Sequence, residues 1–302
     1  MNTHPWNSLP ASPDALGESP FWHPAERRLY WVDTPGARVR RADPATGEVQ
    51  DWAMPSEPGC IAPARSGGLV IALRDGIWRA RAWGGALERL APAPHDTATM
   101  RFNDGKADPL GRFWAGNLYE PKDQAAAALY CLEGGALRRM AGGATTANGL
   151  AFAPDARTVY WADTPAHTVR AWDWDAAANT LSGEREFLRF PAKPAGWQPG
   201  DAGYGGRPDG AAVDAEGNYW CAMFEGARLL QFSPQGRLLR DLAVPARCPT
   251  MPCFGGDDLR TLYLTSARKG RPAGELAELP LSGRVLWLRV DVPGRPVDFA
   301  DA

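Results

Sequence analysis

The chain has 302 residues with a formal net charge of −2, so nothing in its charge favours nucleic acid or an anionic membrane as a partner. Its 33 Gly, 28 Pro and 13 Trp describe a soluble protein of many short strands and turns rather than of helices. No stretch approaches the 18 or so uninterrupted apolar residues of a membrane span, and no domain boundary is evident, so a single domain over residues 1–302 is expected.

In chain order, Met1 to Asn7 has neither a basic n-region nor an apolar h-region, and a cytoplasmic location is expected. Leu16-Gly-Glu-Ser-Pro20 leads into an aromatic strand, and Pro24-Ala-Glu-Arg-Arg-Leu-Tyr-Trp-Val-Asp-Thr-Pro35 is a turn followed by a buried strand. Val39–Asp43 alternates like a strand, and Arg65-Ser-Gly-Gly-Leu-Val-Ile-Ala72 is a further turn and strand. The densest polar stretch is Arg101-Phe-Asn-Asp-Gly-Lys106. Its Asn103-Asp104-Gly105-Lys106 segment has the composition of a hairpin turn. Asp108-Pro-Leu-Gly111 is a turn, and Phe113-Trp-Ala115 a buried strand ahead of Asn117-Leu-Tyr-Glu120. Ala125–Ala128 is the best helical candidate, and it is short.

Further on, Ala147-Asn-Gly-Leu150 precedes a second copy of the first turn-strand unit, Pro154-Asp-Ala-Arg-Thr-Val-Tyr-Trp-Ala-Asp-Thr-Pro165, offset by 130 residues. Thr168–Trp174 alternates as a strand. Pro191–Gly206 is a long Gly/Pro loop, and Arg207-Pro-Asp-Gly210 follows it. Asp214-Ala-Glu-Gly-Asn-Tyr-Trp-Cys221 repeats the pattern of Asp108–Ala115, and Arg228–Phe232 is a strand. Gly256–Thr265 is a third version of the Tyr-containing unit; Arg268–Glu278 is a second long loop; Gly283–Val290 is a closing strand that residues near the N-terminus are expected to join.

The turn-strand units begin near Leu16, Gly59, Arg101, Thr145, Gly206 and Cys248, which divides 302 residues into six parts of roughly 50, the length of a four-stranded blade. The fold class is therefore all-β, a six-bladed β-propeller. Five cysteines at wide spacing (Cys60, Cys131, Cys221, Cys248 and Cys253) read as buried free thiols, not as a disulfide framework or zinc site.

Glu18, Asn103, Asn148 and Asp209 stand beside strand starts in four different units. In a propeller the first strand of each blade lines the central channel, so these side chains converge on its axis. Two carboxylates and two amide oxygens form a hard, oxygen-only set suited to Ca²⁺, Mg²⁺ or Mn²⁺, with Fe²⁺ or Zn²⁺ as alternatives. His4, His23, His95 and His167 lack a nucleophile context, and His23 and His167 are expected to pack beside blade turns.

Gly17-Glu-Ser-Pro20 with Phe21-Trp22, Arg101–Lys106 with Asp108-Pro109, Asn148-Gly-Leu150, Pro208-Asp-Gly210 and Cys253-Phe-Gly-Gly256 run through residues 17–256. Together they resemble the senescence marker protein, regucalcin and gluconolactonase family of six-bladed propellers. The resemblance implies one divalent cation held by Glu18, Asn148 and Asp209, with Asn103 at or next to it. It implies that Arg101, Asn103 and a carboxylate after the third-blade strand, Glu120 here, grip substrate hydroxyls. Leu118-Tyr119 departs from the small residues associated with that place. Asp104 is a further candidate for substrate contact. The expected activity is hydrolysis of a sugar lactone, such as a glucono-, xylono- or arabinono-lactone, to the aldonic acid, with Asp209 as general base. Hydrolysis of other lactones or phosphotriesters, and a non-catalytic calcium-binding propeller, are the alternatives. A monomer or homodimer is expected.

Overall fold

A computed structural model describes residues 5–302; Met1–His4, and with them His4, lie outside the described residues. Six four-stranded antiparallel sheets follow one another along the chain. Their first strands are Gly17–His23, Pro58–Pro63, Met100–Ala107, Ala147–Phe152, Arg207–Val213 and Cys248–Gly255, and we number the blades one to six in that order. Each starts within two residues of the unit boundary read from the sequence. The sixth blade is completed by the N-terminal strand Asn7–Ser8 pairing with Leu286–Arg289, as expected, which closes the ring non-covalently.

The sequence repeats are the fastenings of this ring. Asp108 accepts the backbone N–H groups of Leu110 and Arg112 at one carboxylate oxygen and the indole N–H of Trp114, at 2.8 Å, at the other. Asp214 does the same for Glu216, Asn218 and, at 2.9 Å, Trp220. One side chain thus shapes a turn and satisfies a buried indole. In the Tyr-Trp-x-Asp-Thr-Pro copies, Asp33 and Asp163 accept N–H groups leading into their own blade's first strand. Thr34 and Thr164 donate to the carbonyls of Pro58 and Pro208, on the first strand of the next blade. Trp31, Trp114, Trp161 and Trp220 are among the largest fully buried side chains, in the apolar layers between blades. All five cysteines are buried free thiols.

Each first strand carries one extra residue relative to its neighbour: a bulge lies between Glu18 and Phe21, Pro58 and Cys60, Phe102 and Gly105, Asn148 and Ala151, Pro208 and Ala211, and Pro249 and Pro252. This corrects the hairpin expected at Asn103–Lys106. Asn-Asp-Gly, Asn-Gly and Asp-Gly here mark bulges inside strands, because a bulge makes the same demand for unusual backbone as a tight turn. Gly149 shows the demand: its φ is +59°, and a Cβ there would lie 2.4 Å from the Tyr219 hydroxyl. Ala125–Ala128 is not helical either. Ala127 opens a strand, Ala127–Glu133, and both Ala127 and Ala128 are buried. The one helix among the described residues, Ala273–Glu278, interrupts the second long loop.

Candidate functional site

The bulges decide which side chains reach the axis. Asn103 and Asp209 sit within the extra-residue segments, and Glu18 and Asn148 immediately precede theirs. Bulges re-aim side chains and are over-represented beside active sites. All four residues are less than a tenth exposed.

A hydrogen-bond relay orders the two amides. Arg101 Nη1 donates to Asn103 Oδ1 (3.0 Å), and Asn103 Nδ2 donates to Asn148 Oδ1 (2.8 Å) and to the Ala147 carbonyl (3.0 Å). Asn148 Nδ2 donates to Thr164 Oγ1 (2.7 Å), whose proton goes to the Pro208 carbonyl (2.7 Å). Because Thr164 spends its only proton on a carbonyl, it can only accept from Asn148, which fixes the amide with its oxygen toward Asn103. One lone pair of that oxygen remains. The relay spans blades three, four and five and ends on the residue before Asp209.

The two axial carboxylates are held at high energy. Burial raises Glu18 well above the usual carboxylate range, and the charges of Asp209 and Asp104 add to it, with Arg101 opposing. Burial likewise pushes Asp209 up to about 8; Asp104 adds to the shift, and Arg207 and Lys122 oppose it. Among the described residues neither Glu18 nor Asp209 forms an ion pair with Lys or Arg. Asp104 is placed differently from a group free to meet substrate. Its Oδ2 accepts the Leu150 N–H at 2.8 Å, and its Oδ1 is buried without a partner.

No group of three His, Cys, Asp or Glu side chains is gathered in metal-ligating geometry among the described residues. The candidate set is instead two carboxylates and an oriented amide oxygen. Buried, mutually repelling carboxylates beside a free lone pair fit a divalent cation of oxygen-preferring chemistry.

Around the mouth, Glu120 is clamped by Arg74, whose Nη2 and Nη1 meet its two oxygens at 3.0 and 3.1 Å. Arg74 also engages Glu57 through Nε and Nη2, both at 3.0 Å. These hydrogen bonds are the main cause of the lowered pKa of both glutamates, with Glu57 near 2. Arg101 is electrostatically tied to Glu120, Glu18 and Glu57. Arg74, Glu57 and Thr164 were not found from the sequence. Thr164 was signalled only as part of a repeat; Glu57, in Glu57-Pro-Gly59 ahead of the second blade's first strand, carried the same following Gly as Asn103, Asn148 and Asp209 and was a signal passed over; Arg74 lies in a hairpin with no repeat partner. His23 and His167 pack beside blade turns as expected: His23 Nδ1 accepts the Glu26 N–H, and His167 bonds Tyr204.

Removing the Thr164 hydroxyl should disorder Asn148. For Thr164→Val we expect divalent-cation affinity to fall about 10–100-fold, the usual effect of losing an outer-shell partner, with recovery in Thr164→Ser. Calorimetric titration of the three proteins with Mn²⁺ or Ca²⁺ measures it; equal affinities would remove the relay from the site.

The chain is similar to proteins of one family along most of its length. The family profile described as SMP-30/Gluconolactonase/LRE-like region matches residues 16–268. The chain is 45% identical to the 6-deoxy-6-sulfogluconolactonase of Pseudomonas putida, over 93% of this chain and 94% of that protein. It is 34% identical to the pentonolactonase XacC of Haloferax volcanii, over 93% of each chain. A crystal structure titled as a calcium-binding protein, regucalcin, from Agrobacterium tumefaciens superposes with a TM-score of 0.89 at 25% identity, covering 98% of both chains. The chain belongs to the SMP-30/gluconolactonase/LRE-like family of six-bladed propellers, whose relatives here include named sugar-lactone hydrolases.

Proposed function

We propose that the protein is a metal-dependent hydrolase that opens aldonolactones to aldonic acids, with one divalent cation held by Glu18, Asn148 and Asp209. The observation that carries this is the pairing of an oriented amide oxygen with two buried carboxylates that lack a cationic partner, all on bulged first strands. When bound, the cation would neutralise these carboxylates and polarise the lactone carbonyl. Asp209 would be one of the residues holding the cation and is the general base that takes the proton of the attacking water. Arg101, Asn103 and Glu120 orient the sugar hydroxyls, with Arg74 holding Glu120 in place. Glu120 remains less than fully buried, which suits a group that exchanges water for substrate. Asp104 supports the site from the blade-three bulge.

The relatives favour sugar lactones over phosphotriesters, and the name of the Pseudomonas putida relative brings a sulfonated gluconolactone into the proposed range. A pH-indicator assay of the Mn²⁺- or Ca²⁺-loaded protein on pentono- and hexono-lactones tests the reading. Acid release above the spontaneous rate is expected for at least one; none with any lactone would refute it.

A further inference from the structure

The rim on the blade-five and blade-six side of the mouth is strongly cationic. Four cations, Lys193, Arg207, Arg247 and Arg271, share two carboxylates, Glu225 and Glu275. Glu225 is buried and receives Lys193 at 2.6 Å, Arg207 at 3.2 Å and Arg271 at 3.3 Å. The cluster therefore keeps two positive charges in excess. Arg207 is anchored by one nitrogen, Nη2, and by packing on the Phe224 ring, and its Nε is buried without a partner. A guanidinium fixed on one edge and unsatisfied on another is prepared for an oxyanion.

Lys122 faces this cluster from blade three. It follows Glu120 in a turn closed by its own N–H to the Tyr119 carbonyl (3.1 Å), with φ at +61°. The Lys122 side chain is exposed, feels the charges of Arg207, Arg101, Asp209 and Glu225, and forms no ion pair among the described residues.

In a δ-lactone the exocyclic carbon is attached to the ring carbon that bears the ring oxygen, three bonds from the acyl carbon. A substituent there stays within a few bonds of the group that handles the carbonyl, and Arg207 and Lys122 are the two cations whose charges act on Asp209. Resting on the lactonase reading above, we infer that Lys122 and Arg207 form a specificity subsite for a tetrahedral oxyanion, sulfonate or phosphate, on the exocyclic carbon of the lactone. Arg207 supplies directed N–H donors and Lys122 a mobile charge. The uncompensated cations around Glu225 draw the anionic substrate toward the mouth.

The test uses the full-length, cation-loaded protein and Lys122→Gln, Lys122→Arg and Arg207→Gln. Each is assayed on glucono-lactone, its 6-deoxy-6-sulfo analogue and its 6-phospho analogue. The readout is kcat/KM for each charged lactone divided by that for the neutral one. That ratio should fall roughly 10–100-fold in Lys122→Gln and Arg207→Gln, as for a lost hydrogen bond to a charged group, and recover in Lys122→Arg. The wild-type ratios tell sulfonate from phosphate. Unchanged ratios in a protein that opens the neutral lactone would overturn the subsite and leave the lactonase reading standing. If the wild type opens none of the three, and no pentono-lactone either, the lactonase reading fails. Calorimetry with 6-deoxy-6-sulfogluconate and gluconate then decides the subsite: tighter binding of the sulfonate by wild type but not by Lys122→Gln supports it, and equal binding by both proteins overturns it.

Discussion

Asp209→Asn is expected to lower kcat by about 10²–10⁴-fold, the usual contribution of a general base, while some cation remains bound. An amide can still offer oxygen to a cation, but it cannot accept the water's proton at neutral pH. The same change should stabilise the cation-free fold. Burial and the neighbouring Asp104 raise the Asp209 carboxyl from 3.8 to about 8. Between those pH values the folded chain holds a proton that the unfolded chain has released. Stability of the cation-free wild type therefore falls as pH rises through the window. Asn carries no charge and escapes this loss, so its cation-free Tm at pH 8 should exceed that of wild type. Stopped or progress-curve kinetics at saturating cation, with thermal melts at pH 5 and 8, check both halves. A kcat within a few-fold of wild type would take the base role from Asp209.

Glu18→Gln should act on binding instead. It removes a full charge from a set with two carboxylates, so the loss in cation affinity should exceed the roughly 10–100-fold typical of outer-shell partners. Activity should then return in part at high cation concentration, a rescue not expected for Asp209→Asn. Wild-type cation content in Glu18→Gln, by elemental analysis after dialysis, would mean that the cation is held elsewhere.

The architecture was legible because its fastenings are local in sequence. An Asp that shapes a turn and bonds an indole six residues later leaves a motif, as at Asp108 with Trp114 and Asp214 with Trp220. The Asp-Thr-Pro copies at Asp33 and Asp163 likewise leave one. The residues expected at the axis were read as standing beside strand starts, and Asn103 as part of a hairpin turn; Asn103 and Asp209 instead lie within strand bulges and Asn148 immediately before one. The mouth was much less readable. Arg74 meets Glu57 and Glu120 across separations of 17 and 46 residues, and Arg271 meets Glu225 across 46. Such pairs depend on how blades are set around the axis, which no local pattern encodes. The short helix Ala273–Glu278 was hidden by flanking Gly and Pro; its Arg271–Glu275 pair, one turn apart, was the signal available.

The most direct test of the account is lactone hydrolysis by one preparation before chelation, after chelation and after re-addition of a single divalent cation. The account predicts loss of catalysed acid release on chelation and its return as about one cation per chain is restored. Full activity in protein shown by elemental analysis to be free of divalent cation would contradict it.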